Sequence, residues 1–399
     1  MPEWRIPFFL ILRHLRRGSK WTLALIVFLM AIAFVNMVFA SSLFNGIIAT
    51  SNANVIETYA GNITIYPNAK DDFIAHTDKQ LTKIRAVDGV KAAAAHYQLP
   101  AASMKFKNIK STFRLIAIDP DDETRVTNIS QKLISGRYLE PDDNDGILLG
   151  AQVTGNEEAA TRSFKGIKVG DSVKVTLQNN TEKNFIVRGI FYSNYIEADY
   201  QTFTTIKAMQ EVAPYLRNQA SSILVTVDTP GTETRVINGL KARGVTGDIH
   251  PWQDSAGLMK DVTKSFVSID VILSLVATLI AAVTIFIVIF VDITDKRSQI
   301  GIMRALGVRP YLIHAVYVLQ SVVYSVAGVL LGAAMFFGIL VPYFVAHPFA
   351  LPMGNAHLVV NAGNFILRAE TILWVAVFSG LIPAVMVTRM NMLDEIRGK

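Results

Sequence analysis

The stretch Asp295-Lys296-Arg297-Ser298-Gln299-Ile300-Gly301-Ile302-Met303-Arg304-Ala305-Leu306-Gly307-Val308-Arg309 lies between two uncharged runs, 271–291 and 311–343. Each run reaches the roughly 20 apolar residues that a helix needs to cross a hydrocarbon core about 30 Å thick. The stretch itself is too polar to lie in lipid. Gln299, Ile302, Met303 and Leu306 follow the spacing i, i+3, i+4, i+7 and share one helix face; Arg297 and Arg304 point the other way. Thr294 is placed to cap such a helix, with Asp295 putting negative charge at the positive end of its dipole. The pattern predicts a short amphipathic helix at a membrane surface, its apolar stripe offered to a partner.

Outward from this stretch, two more uncharged runs occur, 21–44 and 371–388. The expected fold is an α-helical membrane protein with four transmembrane helices and a large α+β extracytoplasmic domain inserted between the first two. The expected division is a leader (1–20), a first span (21–45), the domain (46–265), a second span (266–291) and the linker helix (292–310). A third span (311–343), a loop (344–370), a fourth span (371–388) and a tail (389–399) follow. Hydrophobic residues make up 51% of the 399, more than a soluble protein of this size carries. Cysteine is absent, which excludes a disulfide framework and thiolate chemistry.

The leader holds Arg5, Arg13, Arg16, Arg17 and Lys20 among apolar residues. It fits a basic amphipathic helix at an anionic membrane face, or a plain flanking charge cluster. The run after it is too long for the apolar core of a signal peptide, so a retained span is expected. In the domain, strand-like segments stand at 62–66, 113–118, 146–149, 172–177, 184–190 and 223–227, with helical patches at 78–87 and 202–212. Dense turn signals mark an inner subdomain near 132–198. Residues 252–270 carry Leu258, Val262, Phe266 and Ile269 on one stripe and run unbroken into the second span, as a stalk. In the third span, Gly328-x-x-x-Gly332 permits close helix approach, within one protomer or between two. Pro383 is placed to kink the fourth.

The leader, linker and tail hold twelve basic and five acidic residues, whereas the short loop opposite offers Arg368 and Glu370. By the positive-inside rule, both termini and the linker helix are cytoplasmic. The sequence contains no P-loop and no H-E-x-x-H or G-x-S-x-G motif, and its seven histidines lack ligand spacing. No catalytic residue and no metal ligand is expected, and no nucleotide is expected on this chain itself. The acidic runs Asp119, Asp121, Asp122, Glu123 and Asp142, Asp143, Asp145 fit solvated turns better than a cation loop. Asp270 stands near a span without an evident intramembrane partner.

This arrangement resembles the FtsX-like permease family of ABC transporters, which includes MacB-type and LolC/LolE-type proteins. The most specific piece is Lys296-Arg297-Ser298-Gln299-Ile300-Gly301-Ile302-Met303-Arg304-Ala305-Leu306-Gly307-Val308, similar to the family's coupling helix, although Gln299 stands where an acid is usual. Leu12-Arg13-His14-Leu15-Arg16-Arg17 is similar to the family's start; Asn391-Met392-Leu393-Asp394-Glu395-Ile396-Arg397 is similar to its ending, with Met392 where proline is common. Ser135-Gly136-Arg137-Tyr138-Leu139, Ile147-Leu148-Leu149-Gly150, Val169-Gly170-Asp171-Ser172-Val173 and Val187-Arg188-Gly189-Ile190 are similar to a MacB-like periplasmic core domain.

The resemblance implies a non-catalytic permease subunit in the inner (cytoplasmic) membrane. Its implied partners are an ABC ATPase subunit that binds the ATP and Mg, a second FtsX-like permease in a homo- or heterodimer, membrane lipid, and a periplasmic adaptor or acceptor protein. No nucleic acid is implied. Gln299, Ile302, Met303, Leu306, Arg297 and Arg304 would dock the ATPase; Gly328 and Gly332 would pack helices. The implied work is mechanical, exporting or extracting an amphiphile such as a lipoprotein, lipid, peptide or drug. The alternative is a transmembrane relay that activates an extracytoplasmic partner such as a cell-wall hydrolase.

Overall fold

A computed structural model of the chain describes residues 20–99, 101–155, 163–256, 258–351 and 354–388. The basic leader and the tail fall outside the described residues. The rest forms two compact units: a helical one (20–49, 263–350, 355–388) and a mixed α/β one (50–262, with 351 and 354).

Among the described residues, four helices are long and apolar enough to cross a membrane: Leu23–Ala60, Asp261–Asp295, Pro310–Ala346 and Ala362–Met386. The first span buries Ile26, Met30, Phe34, Met37 and Val38, a stripe at spacings of three and four. The second buries Ala277, Ala281, Ile285, Ile289 and Ile293, each four residues after the last. Its opposite face leaves Ile272, Leu275, Leu279, Ile280 and Val283 exposed, as a helix in lipid would. Between the third and fourth spans, Ser321 Oγ donates to the Ala376 carbonyl at 2.8 Å. Gly380 lies so close that a Cβ there would meet Ser321 Oγ at 2.5 Å.

The Gly328 and Gly332 pair faces the first span within the same chain. A Cβ on Gly328 would meet Met30 Cβ at 2.5 Å, and one on Gly332 would meet the Ala31 carbonyl and Phe34 Cδ1 at 2.9 Å. Two small residues one turn apart let the helices approach here.

Several boundaries differ from those expected. The second span and its stalk are one unbroken helix as expected, Leu258–Asp295, but it ends at Asp295 and not at 291. The third span contains a π-helical turn, Phe336–Leu340, before continuing as Val341–Ala346. The fourth begins at Ala362, so Arg368 and Glu370 lie in a helix and not in a loop. The intervening segment forms two short paired strands, Phe349–Leu351 and Gly354–Ala356.

The α/β unit is built on a twelve-stranded mixed sheet. Its path runs Asp248–Pro251, Ile63–Tyr66, Ser222–Val227, Val90–Leu99, Arg114–Ile118, Gln201–Thr205, Gly146–Gly150, Glu182–Phe191, Ser172–Leu177, Ala101–Phe106 and Ile109–Ser111. Leu133–Gly136 pairs beside it with Glu182–Phe191. Most neighbours are antiparallel; Gly146–Gly150 with Glu182–Phe191, and Arg114–Ile118 with Gln201–Thr205, are parallel. Helices Thr77–Arg85 and Glu233–Ala242 bury Ile84, Val236 and Leu240 in the main core with Ile63, Ile65, Val225 and Leu115.

The patch at 202–212 is not one helix. Gln201–Thr205 is a fully buried strand, and the helix begins only at Ile206, capped by Thr205 Oγ1 accepting from Ala208 N–H at 3.0 Å. The β-branched run Thr202, Thr204, Thr205 favours the strand.

Candidate coupling site at one end of the helical unit

The linker between the second and third spans folds into the helix Arg297–Ala305. Lys296 breaks the preceding helix, with φ −105° and ψ 10°. Thr294 does not cap the linker helix: it belongs to the second span and donates its hydroxyl back to the Phe290 carbonyl at 2.8 Å. A threonine inside a helix has this acceptor one turn back, and the span continues one turn further than its apolar run. At the other end Gly307 sits at φ 91°, which a side chain rarely adopts. Gly307 N–H donates to Arg304 O at 3.0 Å and Val308 N–H to Met303 O at 3.1 Å, the paired bonds of a Schellman turn. Pro310 then opens the third span at its first position.

The expected stripe divides when the helix is seated. Ile300 is buried in the helical core and Met303 packs against it. Gln299 is exposed, Ile302 is 51% exposed and Leu306 is 80% exposed. Met303 is thus an anchor, and Ile302, Leu306 and Gln299 form the outer surface. Ile300 and Met303, three residues apart on one face of the new helix, pack into the cluster that also holds Ile289 and Ile293. Arg304 is half-buried at the flank of this surface. The Arg297 backbone opens the helix, and its side chain lies outside the described residues.

A polar network not foreseen in the sequence sits at the base of this helix. Asp292 Oδ1 pairs with Lys296 Nζ. Gln320 Nε2 of the third span donates to Asp292 Oδ2 at 3.1 Å and to Tyr324 Oη at 2.8 Å. Gln320 is 2% exposed, so these bonds are not shared with bulk water. The network links the end of one span, the break before the linker helix and the next span. The i, i+4 spacing of Asp292 and Lys296 was the available signal; their partner 28 residues on was not. Asp270, near the other end of the second span, does have a partner: Arg368 NH2 donates to its Oδ2 at 2.8 Å.

In the α/β unit the acidic runs are structural. Asp119 caps the helix Pro120–Val126 by accepting from Asp121 N–H at 3.0 Å and Asp122 N–H at 3.3 Å. Asp122 also pairs with Arg85 at 2.6 Å. Buried Glu123 meets His96 Nε2 at 2.8 Å. Asp143 binds both ends of the Arg137 guanidinium at 2.7 and 2.9 Å. Burial pushes the Asp143 carboxyl up, but the Arg137 and Glu140 N–H groups and the nearby Arg188 charge more than offset it and hold it below the usual range. Asp142 and Asp145 pair with Lys207 and Arg188. Among the described residues, no group of His, Cys, Asp or Glu could hold a metal ion.

The four spans make the chain a multi-pass membrane protein. Residues 271–392 match the family described as FtsX-like permease C-terminal. Over 131 residues the chain is 27% identical to the ABC transporter permease YtrF of Bacillus subtilis (strain 168), covering 31% of this chain and 30% of that one. Over 236 residues it is 26% identical to the lipoprotein-releasing system transmembrane protein LolC of Xylella fastidiosa (strain Temecula1 / ATCC 700964), covering 54% and 52%. The match thus spans about a third of one relative and half of the other.

Among solved structures, the periplasmic region of MacB from Actinobacillus actinomycetemcomitans is similar at 14% identity and a TM-score of 0.37, over 52% of this chain and 96% of that one. The extracellular domain of the ABC-type transporter YknZ from Gram-positive bacteria is similar at 12% identity and a TM-score of 0.34, over 47% and 97%.

Proposed function

We propose that this chain is the membrane subunit of an ABC transporter and that a separate ATPase docks on the linker helix. The observation that carries this is the helix itself: Ile300 and Met303 hold it to the spans, and Ile302 and Leu306 are left outward within an FtsX-like region. Two exposed apolar side chains flanked by Arg304 and Arg309 suit a groove with acidic residues at its rim. The excess of basic residues in the leader, linker and tail favours a cytoplasmic position for both termini and this helix, which is where an ATPase is found. ATP and its Mg would belong to that partner. The permease would work as a homo- or heterodimer in the cytoplasmic membrane, and the bond network from Asp292 to Tyr324 would carry the movement of the docked helix into the second and third spans. The cargo class is an amphiphile, in keeping with the similarity to a lipoprotein-releasing subunit.

Purification of the full chain from native membranes tests this. The expected companion is a polypeptide with a P-loop, and the complex in liposomes should hydrolyse ATP faster when its amphiphile is added. Hydrolysis that an extracytoplasmic partner stimulates and no amphiphile does would favour the relay. Recovery of the chain in active form with no ATPase would sink the proposal.

A further inference from the structure

Three helices of the helical unit bring polar side chains to one level. Ser41 comes from the first span, Asp270 from the second and Arg368 from the fourth. Asp270 and Asp292 stand about 22 residues apart on one helix, roughly 33 Å at 1.5 Å per residue. That separation approximates the hydrocarbon thickness. Asp270 and its partner Arg368 therefore sit near the membrane face away from the linker helix, where water reaches.

The Arg368 guanidinium donates to Asp270 Oδ2 at 2.8 Å, yet each group has an atom left over. Arg368 Nε and Asp270 Oδ1 are both buried and have no hydrogen-bond partner among the described residues. Ser41 is 4% exposed, and its Oγ is likewise buried and unpartnered. Buried polar groups are costly to leave in that state. A cavity of about 10 Å³ borders both Ser41 and Arg368, with Asn45, Asn361 and Asn364 around it. That is room for about one water and for nothing larger. The three atoms also fix the chemistry of an occupant. The Nε–H can only donate, the carboxylate oxygen can only accept, and the hydroxyl can do either. A chloride ion would satisfy the first and repel the second, and a metal cation would do the reverse. What suits all three is a neutral molecule that donates and accepts at once.

We propose that one water molecule binds here as a fixed part of the fold, accepting from Arg368 Nε–H, donating to Asp270 Oδ1 and sharing a third bond with the Ser41 hydroxyl. About three bonds are what a buried water makes. It ties the first span to the ion pair of the second and fourth without a direct contact between Ser41 and Asp270. The site does not depend on whether the chain docks an ATPase.

Cryo-electron microscopy of the full chain in nanodiscs tests it, at a resolution that shows other buried waters in the same map. One compact peak is expected about 2.7–3.2 Å from Arg368 Nε, Asp270 Oδ1 and Ser41 Oγ. No peak, an elongated one, or Arg368 Nε seated directly on Asp270 Oδ1 would overturn the proposal. Melting in detergent gives a second reading, through Ser41→Ala, Asp270→Asn and the double variant. Each single change should lower the midpoint, and the double should fall short of their sum because both act on the same water. Additive shifts would overturn the proposal, as would a Ser41→Ala midpoint equal to that of the wild type.

Discussion

Leu306 separates docking from folding more cleanly than any other residue of the linker helix. At 80% exposed it contributes little to the chain's own stability, so its replacement should change stability by no more than about 0.5 kcal/mol. If it is buried against an ATPase, Leu306→Ala removes roughly three carbons from that contact. At about 0.8 kcal/mol per buried carbon this is near 2 kcal/mol, a loss of roughly 30-fold in affinity. Leu306→Asp adds the desolvation of a carboxylate and should cost at least twice as much, more than about a thousandfold, which abolishes co-purification. Ile300→Ala is the counterpart. Ile300 is 1% exposed, so its truncation should cost the chain itself roughly 2–5 kcal/mol and lower its melting temperature in detergent. Binding measured by interferometry, with melting measured on the same samples, reads both effects. Wild-type affinity in Leu306→Asp, with wild-type melting, would refute the assignment of this surface.

Gly328→Val should lower thermal stability in detergent by roughly 1–3 kcal/mol because its Cβ would meet Met30 Cβ at 2.5 Å; Gly338→Ala, with no neighbour within 4 Å, should not. Arg137→Ala should destabilise the α/β unit by about 2 kcal/mol by leaving the buried Asp143 carboxylate short of two donors, and Arg137→Lys should recover only part, both read by urea unfolding. Asp199 is a pH test: burial raises its carboxyl from 3.8 to about 6, against the opposing hydrogen bonds from Ser193. Its neutral form suits the fold, so its penalty is absent below about pH 4, grows as pH rises and is complete above about 6, near 3 kcal/mol at most. Asp199→Asn should therefore flatten the fall in stability across that window, and an unchanged pH profile would contradict the assignment. Gln320→Leu takes a donor from Asp292 and should cut partner-dependent ATP hydrolysis severalfold while Leu306-dependent binding persists; undiminished hydrolysis would show that the network does not carry motion.

The spans were legible because lipid leaves few choices: long uncharged runs admit only helices. Their ends were less so, since Thr294 and Asp295 lie in a helix that continues past its apolar residues. Six strands announced themselves by β-branched or alternating residues. Val90–Leu99 did not, because its Ala92–Ala95 core favours a helix locally and is held extended by strands on both sides. The linker helix was visible, but not that Ile300, outside the expected stripe, and Met303 of that stripe would be the residues turned inward, which the cluster with Ile289 and Ile293 decides. The Asp270–Arg368 pair joins residues 98 apart, a separation no local pattern encodes.

The covered glycines also bear on assembly. With Met30, Ala31 and Phe34 already seated on Gly328 and Gly332, this small-residue notch is occupied by the chain's own first helix. A second copy cannot insert there without prising that helix away. Any pairing of two such chains must find its grip on broader, side-chain-rich helix surfaces, where affinity comes from many shallow contacts and can be remade each time the partners shift.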